Sequence, residues 1–315
     1  MKQLPATHKF PPLLSIIFPN WNGAQDTLAY LQSIRKSSYP QKEIEIIMVD
    51  NHSRDSSVKY VRKLFPEVKI IELDQNYGPA YARNRGIEQA QGEIIFCSDN
   101  DQILATNTLE ILANLLQVET NKLQTGANKL QIKTDKPQIG KGIGIVGAKV
   151  LTKSEPHRIV SCGYKFNRWL GLESGSKDCQ QIKECDWVAG CSMMFGKSLI
   201  DEIGIFDENF FFYAEDADFC LRAKKAGFKV VSLPNAIVYH GKNDQSPALL
   251  TDEGYLDYYK AKFRLIKKHC NLLQQIISLG LHLTVFSWIR YLTGKKESLL
   301  LKFKALTSTL KTNAN

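Results

Sequence analysis

A chain of 315 residues, 43% hydrophobic and 23% charged, is long enough for one large α/β domain with appendages or for two domains, and it is not a disordered polypeptide. Its formal charge of +9 is unevenly placed: residues 256–315 carry 11 Lys and Arg against two acids, leaving 30 of the 41 basic and 30 of the 32 acidic residues before them. With a neutral body and a basic tail, a general nucleic-acid-binding reading loses its main support. Seven cysteines (97, 162, 179, 185, 191, 220 and 270) make an odd count without a C-x-x-C pair. That pattern speaks against a disulfide framework or a zinc knuckle, and for reduced thiols in a cytoplasmic compartment. Lys2 and Lys9 precede no apolar run before Leu13, so the start does not read as a signal peptide.

After a polar lead-in over 1–12, the run Leu13–Phe18 predicts a buried strand, stopped by Pro19-Asn20-Trp21-Asn22-Gly23. Residues 25–37 carry helical spacing through Leu28, Leu31 and Ile34. Ile44–Val49 is a second strand ending in Asp50-Asn51-His52-Ser53-Arg54-Asp55, with Asp55 placed to cap a helix running to about Phe65. Lys69–Leu73 is a third strand, followed by Asn76-Tyr77-Gly78-Pro79 and a helix over 80–90. The β-branched run after Gly92 then ends abruptly in Asp99-Asn100-Asp101. Alternation of strand and helix with short connections implies a mostly parallel sheet wound in the right-handed sense. Four polar loops therefore gather at one sheet edge, where such folds bind nucleotides. If the chain stays extended there, Asp99 and Asp101 face the same way and present hard oxygen ligands to one divalent cation.

Residues 106–118 are predicted helical. The polar, Lys- and Gln-rich stretch 119–142 reads as a surface insertion, mobile without ligand, and Ile143–Val150 as a strand. Residues 152–183 show no strong pattern. Cys191–Phe195 is apolar, and Ser198–Ile203 predicts a short helix closed by Gly204. Next comes Phe210-Phe211-Phe212-Tyr213-Ala214-Glu215-Asp216-Ala217-Asp218, aromatics leading into three acids and a helix that Gly227 ends. Helix-start acids are favoured by the macrodipole, so capping alone explains part of the cluster. A carboxylate beside apolar rings also has the raised proton affinity of a general base. Val230–Leu233 and Ala236–Tyr239 predict extended chain ending in His240.

Taken in order, these stretches resemble glycosyltransferase family 2, the inverting GT-A transferases, and within it the rhamnosyltransferase-like members. The resemblance covers about Leu14 to Lys268. It rests on Ser15–Asn22, on Val49–Asp55 (D-N-x-S-x-D), on Asn76-Tyr77-Gly78 with Ala82–Gly86, and on Asp99-Asn100-Asp101. Trp187-Val188-Ala189-Gly190, Glu215-Asp216-x-Asp218 and His240 complete the series. The family implies a GT-A fold over 1–254, with a donor half at about 13–118 and an acceptor half at about 143–254. Carried over residue by residue, it implies donor-nucleotide contacts at Pro19, Asn20, Asn22, Asp50, Asn51, Asn76, Gly78, Arg83, Asn84 and Asp99. It implies Mg²⁺ or Mn²⁺ on Asp99, Asp101 and His240, and Asp216 as the base. Trp187, Gly190 and Glu215 fall on the acceptor side. The implied partners are a nucleotide-sugar donor, dTDP-rhamnose or a UDP-sugar, and a glycan or lipid-linked acceptor of surface polysaccharide synthesis. Two features depart from the pattern, the length of the 119–142 insertion and Cys191, where the family often has another small residue.

The tail 255–315 predicts basic amphipathic helices. Along Asn271–Ile289, Asn271, Gln275, Ser278 and His282 fall on one narrow stripe and apolar residues fill the rest. The stripe argues against a spanning helix. A basic apolar face with Trp288 and Tyr291 suits the surface of an anionic bilayer, hence a peripheral place on the cytoplasmic face. Packing on the domain, or on a second copy as a homodimer, fits the same pattern. A sugar-nucleotide nucleotidyltransferase would also use a metal and an α/β sheet, but it needs a Gly-rich basic loop where this chain has Pro19–Gly23. A non-catalytic nucleotide-sugar-binding protein of the same fold is the third reading, and the intact acids speak against it.

Overall fold

The computed structural model describes residues 11–125, 141–241, 251–292 and 299–311. Strand β1 (Leu14–Asn20) lies at the middle of a mixed sheet, parallel to β2 (Ile44–Asp50) on one side and to β4 (Ile94–Ser98) on the other. β3 (Lys69–Glu72) extends the parallel half beyond β2. Strict alternation explains why one strand serves two cores. Leu14, Ile16 and Phe18 point to one face, and Ile17 points to the other. The first face is covered by α1 (Ala24–Arg35), α2 (Ser57–Leu64) and α4 (Thr108–Thr125). The second is covered by α3 (Pro79–Gln89), α5 (Leu199–Ile203) and α6 (Glu215–Lys225). Each fully buried Ile, Leu or Phe in these cores contributes ~1.5–3 kcal/mol.

β5 (Gln102–Leu104) follows the acidic turn, and β6 (Ile143–Thr152) opens the second half. That half departs from a simple parallel sheet. β11 (Ser192–Gly196) runs antiparallel between β4 and β6, and β12 (Lys229–His240) pairs parallel with β6. The two strands predicted over 230–239 are one, with a register shift between Leu233 and Ile237. Pro234 falls in that interval, where a bulge absorbs its missing donor. The weakly patterned 152–183 forms β7 (Ile159–Ser161), β8 (Tyr164–Asn167) and β9 (Leu172–Gly175), followed by β10 (Lys183–Cys185). Strands of three or four residues are too short to leave a readable period.

Two further expectations change. α4 runs to Thr125, into the stretch read as an insertion, because Glu119, Lys122, Leu123 and Gln124 are good helix formers after the apolar stripe ends. Of the rest of that expected insertion, residues 126–140 lie outside the described residues. Cys162 and Cys179 form a disulfide with their Cα atoms 5.7 Å apart, and the other five cysteines are buried thiols. An odd count excludes complete pairing but not a single pair, so the reading of all seven as reduced thiols was wrong.

The tail folds as α7 (Asp252–His269), α8 (Leu272–Leu283), α9 (Val285–Leu292) and α10 (Leu299–Lys311). Tyr259, Phe263 and Ile266 of α7 pack with Ala217 and Leu221 of α6 in a third core. α8 begins with a capping box between Asn271 and Gln274. Its polar stripe faces the protein: Gln275 donates to the Lys267 and Cys270 carbonyls, and His282 bonds the Gly171 carbonyl. Ser278 and His282 are buried. The apolar face turns outward, with Leu272 at 72%, Ile276 at 62% and Trp288 at 64% exposure. Among the described residues no helix is long and apolar enough to cross a membrane.

Candidate active site

The polar loops meet at the C-terminal ends of β1, β2 and β4, and their side chains first satisfy one another. The Asn20 amide is fully buried, donates to Asp50 Oδ1 (2.7 Å), Ser57 Oγ (2.9 Å) and Ser53 Oγ (3.1 Å), and accepts from Thr27 Oγ1 and Asn100 Nδ2. Asp50 also accepts from the Ser53 amide, and exposed Asn22 accepts from the Arg54 amide. Pro19, the residue before Asn20, still belongs to β1. Asn51 holds the next loop by donating to the Gly78 carbonyl and accepting from the Tyr77 amide, while Asn76 accepts from the Gly78 amide. Gly78 has φ +84°, and a Cβ there would lie 2.1 Å from the Phe211 carbonyl oxygen, so only glycine fits. Asn20 and Asn84, predicted to touch the nucleotide, are instead consumed by the fold. Asn84 is buried and bonded to both the N–H and C=O of Phe206 and to Glu208.

Asp99, Asn100 and Asp101 form a turn between β4 and β5, not extended chain. The turn still separates the acids from the amide between them. Asn100 donates inward to Asn20 and Thr27, whereas Asp99 Oδ2 and Asp101 Oδ1 lie 3.3 and 3.0 Å from His240 Nε2. The β5–β12 register sets His240 opposite Gln102, one residue beyond Asp101. The Asp101 carbonyl accepts from Gly241 N and Lys153 Nζ. Burial alone would raise Asp99, but the Arg83 guanidinium and His240 hold its carboxyl at about 2. Burial lowers His240, yet the charges facing it push its proton affinity well above the ordinary range.

Arg83 is buried and grips two acids, Asp99 through Nη2 and Glu215 through Nη1, each at 2.6 Å. Glu215, predicted on the acceptor side, therefore points inward as the ion-pair partner of α3. A Cβ on Gly190 would lie 3.2 Å from the same guanidinium. The chain enters α6 through Tyr213 and Ala214, two consecutive non-glycine residues in the left-handed region (φ +68° and +63°). Such strain costs ~1–3 kcal/mol each and persists only where the surroundings enforce it. It sets Asp216 in the first turn, with Oδ2 accepting from Gly190 N and Oδ1 from Ala217 N, each at 2.8 Å. Burial, then the neighbouring Glu215 charge, push the Asp216 carboxyl up to about 8. Trp187 stacks on Tyr164 with centroids 3.8 Å apart, and its indole N–H is buried without a hydrogen bond among the described residues.

Two roles escaped the sequence reading, Arg83 as the bridge between acids and Asn100 as the inward anchor, and the expectation that Cys191 stands clear of the proposed metal residues is corrected. The Cys191 sulfur, an Asp99 oxygen and a His240 nitrogen lie within 4.8 Å of one another, and Asp101 is outside that trio. Burial pushes the Cys191 thiol up to about 12, with the charges of His240, Asp99, Asp101 and Asp216 all acting on it. Geometry thus groups Asp99, Asp101 and His240, and Arg83 ties Asp99 to Glu215, the residue before Asp216.

A mixed sheet of this order, with acids and a histidine at its open edge, is a GT-A-type nucleotide-sugar transferase fold. Models of "Glycosyl transferase family 2" and "Glycosyl transferase family group 2" match residues 15–163 and 146–309. The chain belongs to glycosyltransferase family 2. An uncharacterized glycosyltransferase of Haemophilus influenzae is 35% identical over 108 residues, covering 33% of this chain and 42% of that protein. The poly(ribitol-phosphate) β-N-acetylglucosaminyltransferase TarS of Staphylococcus aureus is 31% identical over 99 residues, 30% of this chain and 17% of TarS. The chain thus spans under half the length of these relatives. The structure of TarS 1–349 with UDP-GlcNAc superposes with TM-score 0.59 at 18% identity, covering 95% of this chain and 80% of that one. A mannosyltransferase of Pyrobaculum calidifontis, in complex with GDP-Man and Mn²⁺, gives TM-score 0.56 at 17% identity, covering 98% and 77%.

Proposed function

We propose that the protein is an inverting glycosyltransferase. It moves a sugar from a nucleoside-diphospho-sugar, dTDP-rhamnose or a UDP-sugar, to a hydroxyl of a glycan or lipid-linked acceptor in cell-surface polysaccharide synthesis. One observation supports this above the others: Arg83 holds Asp99 and Glu215 together, which stands the acids after β4 beside the first turn of α6, where Asp216 follows. The oxygen donors of Asp99 and Asp101 around one imidazole nitrogen fit Mg²⁺ or Mn²⁺. Such a cation, when bound, neutralises charge on a departing diphosphate. The cleft formed by Pro19–Asn22, Asp50, Asn51 and Asn76–Gly78 takes the nucleoside, with Asn20 and Asn84 shaping it from within.

Asp216 takes the acceptor's proton. Each carboxylate oxygen spends one lone pair on a backbone amide and keeps another for the hydroxyl. The acceptor oxygen bonds to the anomeric carbon as the bond to the diphosphate breaks. The electron pair leaves with the diphosphate, and the opposite-face approach inverts the centre. Trp187 and Gly190 flank the acceptor. In a donor panel with Mn²⁺, one nucleoside-diphospho-sugar should release its diphosphate, and Asp216→Asn should bind that donor but lose ~10²–10⁴ in turnover. Turnover like the wild type in that variant overturns the assignment.

The outward apolar face of α8 and α9 supports a peripheral seat on an anionic bilayer, which would present a lipid-linked acceptor to this cleft. The sequence's basic excess over 256–315 (11 Lys and Arg against two acids) suits such a surface, a cation near the headgroups contributing ~1 kcal/mol.

A further inference from the structure

The backbone delivers Cys191 to the acidic turn by register. β11 pairs Ser192 with Ser98, so the next position outward stands Cys191 across from Asp99. His240 arrives from the end of β12, two strands further along the sheet. Sulfur, carboxylate oxygen and imidazole nitrogen then lie within 4.8 Å of one another. Around a four-coordinate ion with bonds of 2.0–2.3 Å, neighbouring donors stand roughly 3.6 Å apart, so sub-ångström to ångström side-chain shifts bring all three into one shell. Cys191 is 5% exposed, while the Asp99 and His240 side chains are 29% and 31% exposed, which leaves one side open for a fourth ligand. Magnesium and manganese have little use for sulfur, whereas thiolate with imidazole selects zinc-class ions.

We propose that Cys191, Asp99 and His240 form a site for a zinc-class cation (Zn²⁺, Cd²⁺ or Co²⁺) ligated through the Cys191 sulfur. The site shares Asp99 and His240 with the proposed transfer centre, so a zinc-class ion and the catalytic cation compete for it. The ligation balances when both protons are counted: the metal–sulfur bond replaces the S–H bond, the metal–nitrogen bond replaces the N–H bond of the His240 imidazolium, and the two protons leave to solvent. Nothing in it requires turnover, so it stands or falls apart from the sugar-transfer reading.

Titration of the full-length, metal-free protein with Co²⁺ tests it. The wild type should develop a thiolate-to-cobalt charge-transfer band saturating at one equivalent. Cys191→Ser should abolish the band and weaken Co²⁺ binding about tenfold or more, and His240→Asn should do the same with Cys191 intact. Matching thermal melts confirm that each variant is folded. A band that survives Cys191→Ser comes from another thiol and overturns the proposal, as does stoichiometric Co²⁺ binding without a sulfur band. Failure of every donor in the panel, with the band present, sinks the transfer reading and leaves this site standing.

Discussion

Glu215 and Asp216 are consecutive carboxylates with opposite surroundings. Glu215 is paired to Arg83, whereas among the described residues no cation forms an ion pair with Asp216, which burial and the Glu215 charge push up to about 8. A base with that proton affinity works only when deprotonated, so kcat/KM should climb with pH and level off above about 8. The fold favours the neutral acid relative to its ordinary value of 3.8, so this group's contribution to stability falls as pH rises from there to about 8. Asp216→Asn is neutral throughout, so its melting temperature relative to wild type should rise between pH 5 and pH 9. A constant difference, measured by thermal melts across that range, contradicts the assignment. Sequence gave the acids and their order, because aromatics followed by Glu-Asp-x-Asp stand out in one line of text. It did not give the direction of each side chain. That depends on Arg83, 132 residues from Glu215.

At the scale of elements, Asp218 serves a different end from Asp216. Fully buried, it accepts from Arg222 Nε and bonds His269 Nε2, both at 2.8 Å, with Lys268 Nζ at 2.9 Å, so it latches α7 to α6. Burial alone would raise its carboxyl, but His269 and Arg222 hold it at about 2. Asp218→Asn should therefore cost about 3–5 kcal/mol of stability near neutral pH, as breaking a buried pair does. Because the folded value is depressed, the wild-type advantage should persist above 3.8 and shrink as pH falls towards about 2. Urea melts along that acid series measure it, and an advantage unchanged at pH 2 refutes the latch. Elements were legible where the period was long: β1, β2 and β4 from β-branched runs, α1 and α7 from apolar spacing. β7 to β10 were not, because strands of three or four residues are held by their neighbours rather than by their own pattern.

At the scale of the whole molecule, the tail reverses the usual sense of an amphipathic helix. Sequence showed the stripe of Gln275, Ser278 and His282 but could not say which face turns inward, and the bare rule that apolar goes inside points the wrong way here. The Gly171 carbonyl and the end of α7 supply the polar partners that draw the stripe in. With the apolar face outward, the full-length protein should float with phosphatidylserine vesicles and not with neutral ones. Ile276→Asp with Trp288→Asp should abolish flotation while leaving the melt unchanged. Failure to float, with concentration-dependent dimerisation lost in the same double variant, would assign the face to a second copy instead.

The close approach of Gly78 to the Phe211 carbonyl links the loop ahead of α3 to the aromatic segment ahead of α6. Where no methyl group can be interposed, neither loop can drift in evolution without the other following. Chimaeras built to change acceptor preference by grafting a foreign aromatic segment ahead of α6 will need the matching 76–79 loop from the same parent. The natural crossover points for such recombinants lie elsewhere in the chain.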